Sequence, residues 1–120
     1  MSLRNVAIVA IVAASPALAP DPPHPTAVWY ARDLTRLCKA DGKSGEYAMC
    51  WSFIGAVLEI AMNNSSIYGL RICVPPLVNE QKAVAVTTKW LGEHPNEDTQ
   101  PASLAAAEAF AAAFPCGSSN

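Results

Sequence analysis

The sequence predicts an all-α fold, a compact four-helix bundle stapled by two disulfides. Three observations carry this expectation. Apolar residues recur at helical spacing in four segments, each bounded by capping or turn residues. No segment alternates apolar and polar residues for long enough to make a strand. Four cysteines, Cys38, Cys50, Cys73 and Cys116, follow an N-terminal export pattern, and export leads to a compartment where thiols become bridges.

The export pattern occupies residues 1–19. Arg4 supplies the positive start, residues 6–14 form an unbroken apolar run, Ser15-Pro16 breaks it, and Ala17-Leu18-Ala19 offers small residues for cleavage. The run is too short to span a bilayer, which needs about 20 apolar residues. Pro20 fits poorly after a cut at Ala19, so Ala17 or a position slightly downstream is the alternative, and a buried helix or membrane anchor is the competing reading of the whole segment. The expected organisation is a signal peptide over 1–19, a proline-rich leader over 20–26 and a single helical domain over 27–120, exported to an oxidising compartment. The leader, Pro-Asp-Pro-Pro-His-Pro from Pro20, is read as an extended strap or a solvated tail.

Removing Arg4 with the signal leaves seven Lys/Arg against ten Asp/Glu, a net charge of about −3. Such a chain has no basic patch to neutralise phosphates, which argues against nucleic acid and against an anionic membrane surface. A basic protein partner is compatible with it.

The first helix is expected over residues 27–39, capped by Thr26, with Val28, Ala31, Leu34 and Leu37/Cys38 on one face. Residues 40–45 are turn chemistry. The second helix is expected over 44–62, starting at Ser44, with only Ser52 and Glu59 clearly polar after Tyr47; a helix apolar nearly all round reads as the central one, surrounded by others. Residues 63–70 read as a polar loop, and Ile72-Cys73-Val74-Pro75-Pro76 as an extended elbow, since proline disfavours helix before it. The third helix is expected over 80–91, capped by Asn79 and ended by Gly92, with Leu77, Gln81, Val84, Thr88 and Leu91 in one stripe and Trp90 beside it. An acidic loop follows, and an alanine-rich fourth helix over 101–113 with Pro101 at its start.

A short turn joins the first two helices, so Cys38 and Cys50 face each other at similar height. If the third and fourth helices are antiparallel, Cys73 and Cys116 lie at the same end. Of three conceivable pairings the expected one is therefore Cys38–Cys50 with Cys73–Cys116. Neither a Cys-x-x-Cys nor a histidine placed beside a thiol suggests redox or nucleophilic chemistry. Two histidines and scattered acids give no metal cluster, and no phosphate loop or Ser/His/Asp order stands out. No cofactor or metal is expected. Glu59 is the one acid expected to be partly buried, and its favoured role is a helix-end group that reaches solvent or a backbone partner rather than a functional one. Trp29, Trp51 and Trp90 read as core or groove-lining groups. The residues favour a binding or inhibitory protein over an enzyme.

The C-terminal half carries a specific string: Cys73-Val74-Pro75-Pro76, Gln81, Val84, Val86, Lys89-Trp90-Leu91, His94-Pro95, Pro101-Ala102 and Ala113-Phe114-Pro115-Cys116. With Leu37-Cys38, Cys50, Phe53-Ile54 and Val57, it resembles the Rap/Tai immunity proteins of type VI secretion systems over essentially the whole mature chain. Where that family commonly shows Gly-Tyr-Ile-x-Gly-Val after the second cysteine, this chain has Ser52-Phe53-Ile54-Gly55-Ala56-Val57, and Glu59 stands where an aspartate is common. The resemblance implies a periplasmic all-helical protein, often a homodimer, that binds and blocks a peptidoglycan amidase effector, typically a cysteine/histidine hydrolase. An inhibitor of a groove needs a rigid protruding loop. The loop over 93–100 is the candidate, with Glu93, His94, Asn96, Glu97 and Asp98 as partner-binding residues; an ordinary solvated loop, with His94-Pro95 as a helix stop, is the alternative. A stand-alone periplasmic stress or chaperone-like binding protein is the runner-up reading, and a small enzyme the weakest.

Overall fold

The structure, a computed structural model, describes residues 10–13, 15, 29–64 and 66–117. The signal and leader expected over 1–26 fall outside the described residues except for 10–13 and 15. Four helices make the body: α1 (Ala31–Cys38), α2 (Gly45–Asn63), α3 (Glu80–Glu93) and α4 (Ala102–Ala113). A two-stranded antiparallel hairpin, β1 (Ser66–Ile67) and β2 (Leu70–Arg71), links α2 to α3, and a 3₁₀ turn (Pro95–Glu97) links α3 to α4. Among the described residues no helix is long and apolar enough to cross a membrane.

The helices begin where side chains satisfy their free N–H groups. Ser44 accepts from the Tyr47 N–H at 3.1 Å, and Asn79 from the Lys82 N–H at 3.0 Å. The first helix starts at Ala31, because Tyr30 is extended and bridges to Pro101; the start expected at residue 27 lies outside the described residues. Asp33 Oδ2 there accepts from the Tyr30 N–H at 2.9 Å. Gly92 lies inside α3 instead of ending it; the stop is His94, with φ −126° and ψ 55° ahead of Pro95. The hairpin replaces the expected loop over 63–70. Its two-residue turn places Tyr68 at φ 53° and Gly69 at φ 74°, the geometry that a two-residue hairpin requires.

The core forms around α4. Ala102, Ala105, Ala106, Ala107, Ala109 and Phe110 are buried and spread over more than half of that helix's circumference. Alanine lets neighbouring backbones come close, and Phe110 is the largest fully buried side chain, in one cluster with Leu34, Leu37, Ile54 and Ile72. Thr87, buried on α3, donates to the Ala83 carbonyl at 2.8 Å and so leaves no polar atom unpaired.

This arrangement changes the expected role of α2. Only Cys50, Ile54, Val57, Leu58 and Ala61 of it are buried, while Met49 is 45% and Ile60 51% exposed. Glu59 is exposed, not partly buried. The α3 stripe is also rotated: Ala83, Val84, Thr87, Trp90 and Leu91 face inward, and Leu77 and Gln81 do not. Trp90 is buried and Trp29 packs against the core edge, with its ring 5.4 Å from Phe53; Trp51 is exposed.

Cys38 is bridged to Cys50, and Cys73 to Cys116. The first closes the α1–α2 hairpin, and the second ties the segment between β2 and α3 to the chain just after α4. Beside the second, the Cys73 N–H donates to the Phe114 carbonyl at 2.9 Å.

Reduction is expected to lower stability by several kcal/mol; by loop-closure entropy the first bridge contributes about 3 and the second about 4 kcal/mol. Thermal melts with and without reductant check this, and coincident curves refute it. Phe110→Ala is expected to cost about 3–5 kcal/mol through the cavity it leaves, and Ala106→Leu about 1–3 kcal/mol through overpacking, both read by urea denaturation.

Candidate functional site

The segment over 93–100 is shaped from both ends. At its start, His94 is half-buried, its ring stacked on Trp90 with centroids 4.1 Å apart and planes 15° from parallel. Its Nδ1 lies 2.8 Å from the Trp90 carbonyl oxygen and donates to it, which occupies one of the carbonyls left free at the end of α3. The chain then turns through the 3₁₀ segment, where the Glu97 N–H donates to the His94 carbonyl at 3.1 Å.

At its end, the segment is held by the start of α1. The Arg32 N–H donates to the Asp98 carbonyl and the Ala31 N–H to the Gln100 carbonyl, both at 2.9 Å. The Ala102 N–H returns a bond to the Trp29 carbonyl at 2.7 Å. These bonds fill free N–H groups at the starts of α1 and α4 with backbone partners, beside the Asp33 Oδ2 bond to the Tyr30 N–H at α1. Gln100 Nε2 donates to Glu108 Oε2 at 3.0 Å, which fixes the segment to α4 as well.

Of the five residues expected to meet a partner, Glu93, Asn96, Glu97 and Asp98 are exposed. His94 is committed to Trp90 and serves the segment's shape. Glu93 lies 3.9 Å from Lys89 one turn back. Glu97 and Asp98 have no ion-pair partner among the described residues, so the segment presents negative charge on a backbone that is pinned at both ends. Beside it, α3 and α4 enclose a groove of about 430 Å³ whose lining includes Lys82, Lys89, Trp90, Glu93, Ala113 and Phe114.

The Trp90–His94 stack had a signal in the sequence, since a spacing of four places two helix residues on one face. The backbone bonds from residues 29–32 had none, because any residue can supply a carbonyl. Among the described residues no three His, Cys, Asp or Glu side chains gather as metal ligands, and no cysteine is free.

A family model described as Rap1a immunity proteins matches residues 30–116. The match runs from the residue that opens α1 to the last cysteine, and so takes in all four helices and both bridges. Neither the curated proteins nor the solved structures give a significant match. The chain belongs to the Rap1a immunity protein family.

Proposed function

We propose that this protein works in the periplasm as the immunity partner of a type VI secretion system, binding and inhibiting a peptidoglycan-amidase toxin. The observation that carries the reading is the family match over the complete helical body. The pinned segment over 93–100 supports the mode of action. A segment already held in its bound shape loses little conformational entropy on docking, which favours affinity. Its exposed carboxylates suit a groove lined by polar or basic groups, as the catalytic cleft of a cysteine/histidine amidase would be. Inhibition is then exclusion of the peptide substrate from the cleft, with no chemistry by the inhibitor.

The reading also includes export and a homodimer. The outward side of α2, where Met49, Ser52, Ala56 and Ile60 are exposed, is nearly free of charge and suits contact with a second copy.

The decisive test uses any peptidoglycan amidase found to be encoded beside this gene. Co-expression of the exported chain is expected to protect a bacterial host from that amidase directed to its periplasm, and the two purified proteins are expected to form a stable complex. A chain that neither binds nor protects overturns the proposal. Within the complex, the triple variant E93Q/E97Q/D98N is expected to weaken binding at least tenfold, about 1.4 kcal/mol, with an unchanged melting midpoint. His94→Ala is expected to lower both affinity and stability, since it removes the Trp90 stack and the helix-end bond.

A further inference from the structure

A second surface lies away from the 93–100 segment, between α2 and the start of α3. It is a groove of about 500 Å³ whose lining includes Gly55, Glu59, Met62, Val78 and Glu80. Three observations bear on what it takes.

The first is its charge. Glu59 and Glu80 come from different helices and line the same groove. Neither has an ion-pair partner among the described residues, where the pairs are Arg36–Glu46 and Lys89–Glu93. Gly55 is what lets them share the site: a Cβ there would stand 3.3 Å from Glu80 Cγ, so the Glu80 stem lies over α2 one turn from Glu59.

The second is its apolar edge. Met62 is 46% exposed, and Leu77, next to the lining residue Val78 in the chain, is 95% exposed. A single exposed apolar residue is ordinary. Here Met62 lines the groove with the two carboxylates, and Leu77 stands one residue along the chain from its lining.

The third is rigidity. The Val78 N–H donates to the Pro75 carbonyl at 3.1 Å, which closes a turn with Pro76 and Leu77 at its tip. Proline suits the position before the tip residue, since its fixed φ matches that turn. The Cys73–Cys116 bridge holds the turn from one side, and the Asn79 cap of α3 holds it from the other. Leu77 is thus kept out in solvent by a short, cross-linked and proline-stiffened segment.

From these we infer that the groove is a docking site for a protein segment that carries a lysine or arginine beside large apolar residues. The cation is received between Glu59 and Glu80, and the apolar side chains cover Met62 and Leu77. Charge complementarity selects this occupant over an acidic or purely apolar one, and a preorganised edge limits the ordering cost of binding. The surface is separate from the 93–100 segment, and the inference does not depend on the partner being an amidase.

The test is selection of a phage-displayed random dodecapeptide library on the full mature chain. Enriched peptides are expected to contain Lys or Arg within a few positions of Leu, Ile, Met or Phe. Their binding, measured by fluorescence anisotropy, is expected to fall at least tenfold for E59Q/E80Q and severalfold for Leu77→Ser, and to weaken with added salt. Gly55→Ala is expected to leave or raise the melting midpoint while weakening the peptides, because it favours the helix but displaces Glu80. E97Q/D98N is expected to leave them unchanged. All of these positions but the half-buried Gly55 are exposed, so circular dichroism is expected to show folded variants. No enrichment, enrichment without basic residues, or binding that survives E59Q/E80Q or Leu77→Ser overturns the inference.

Discussion

The burial of an alanine-rich helix is the constraint on which the rest of the structure depends. An α4 of larger residues would hold its neighbours a side-chain layer further away. With alanine at five of its six buried positions, α1 and α3 approach its backbone closely, and Phe110 fills the remaining space. Dispersion is strong at such short separations and falls off steeply with a small gap, so the arrangement tolerates little change in volume. Among the described residues only Thr87 is both buried and polar, and it bonds within its own helix. The core therefore places no specific demand on the surface.

A core this small does not hold its connecting segments by packing alone. The chain uses covalent and backbone links instead. The two bridges bind the α1–α2 hairpin and the ends of the α3–α4 pair. Backbone bonds between residues 29–32 and 98–102 join the start of the domain to the segment before α4. Tyr68, at the hairpin tip, shares a 2.6 Å hydrogen bond with Ser103 on α4. The 93–100 segment and the Pro75–Val78 turn, each next to or part of a surface proposed to meet a partner, are fixed at both ends by such links. Surface segments of this kind keep their side chains in water and their backbone in place, which suits recognition more than catalysis.

The fold was legible where periodicity, caps and cysteine spacing agreed. Ser44 and Asn79 start their helices as their side chains predict. The position of the 93–100 segment between two helices was legible as well, because Pro95 and Pro101 bracket Glu97 and Asp98 where helical periodicity stops. The beginning of α1 was misread because the helical pattern over 27–30 competes with strand-like pairing to Pro101, a partner about 70 residues away. The hairpin was missed for a local reason: Tyr-Gly is an uncommon choice for a two-residue turn, since tyrosine seldom adopts positive φ.

By itself the sequence determined the helical class, the caps that start α2 and α3, the separation of the cysteines and the membership that those cysteines and prolines signal. These are consequences of local preference and of fixed order along the chain. Tertiary structure alone decided which helix is central. Both α2 and α4 are apolar on most faces, and hydropathy cannot rank them; the shorter side chains of α4 let it sit inside, which left Met49, Ile60 and Met62 of α2 facing outward. It also decided that Glu59 and Glu80 share one groove with Met62. That juxtaposition depends on how close α2 and α3 come at Gly55, a distance set by packing and written in no single segment.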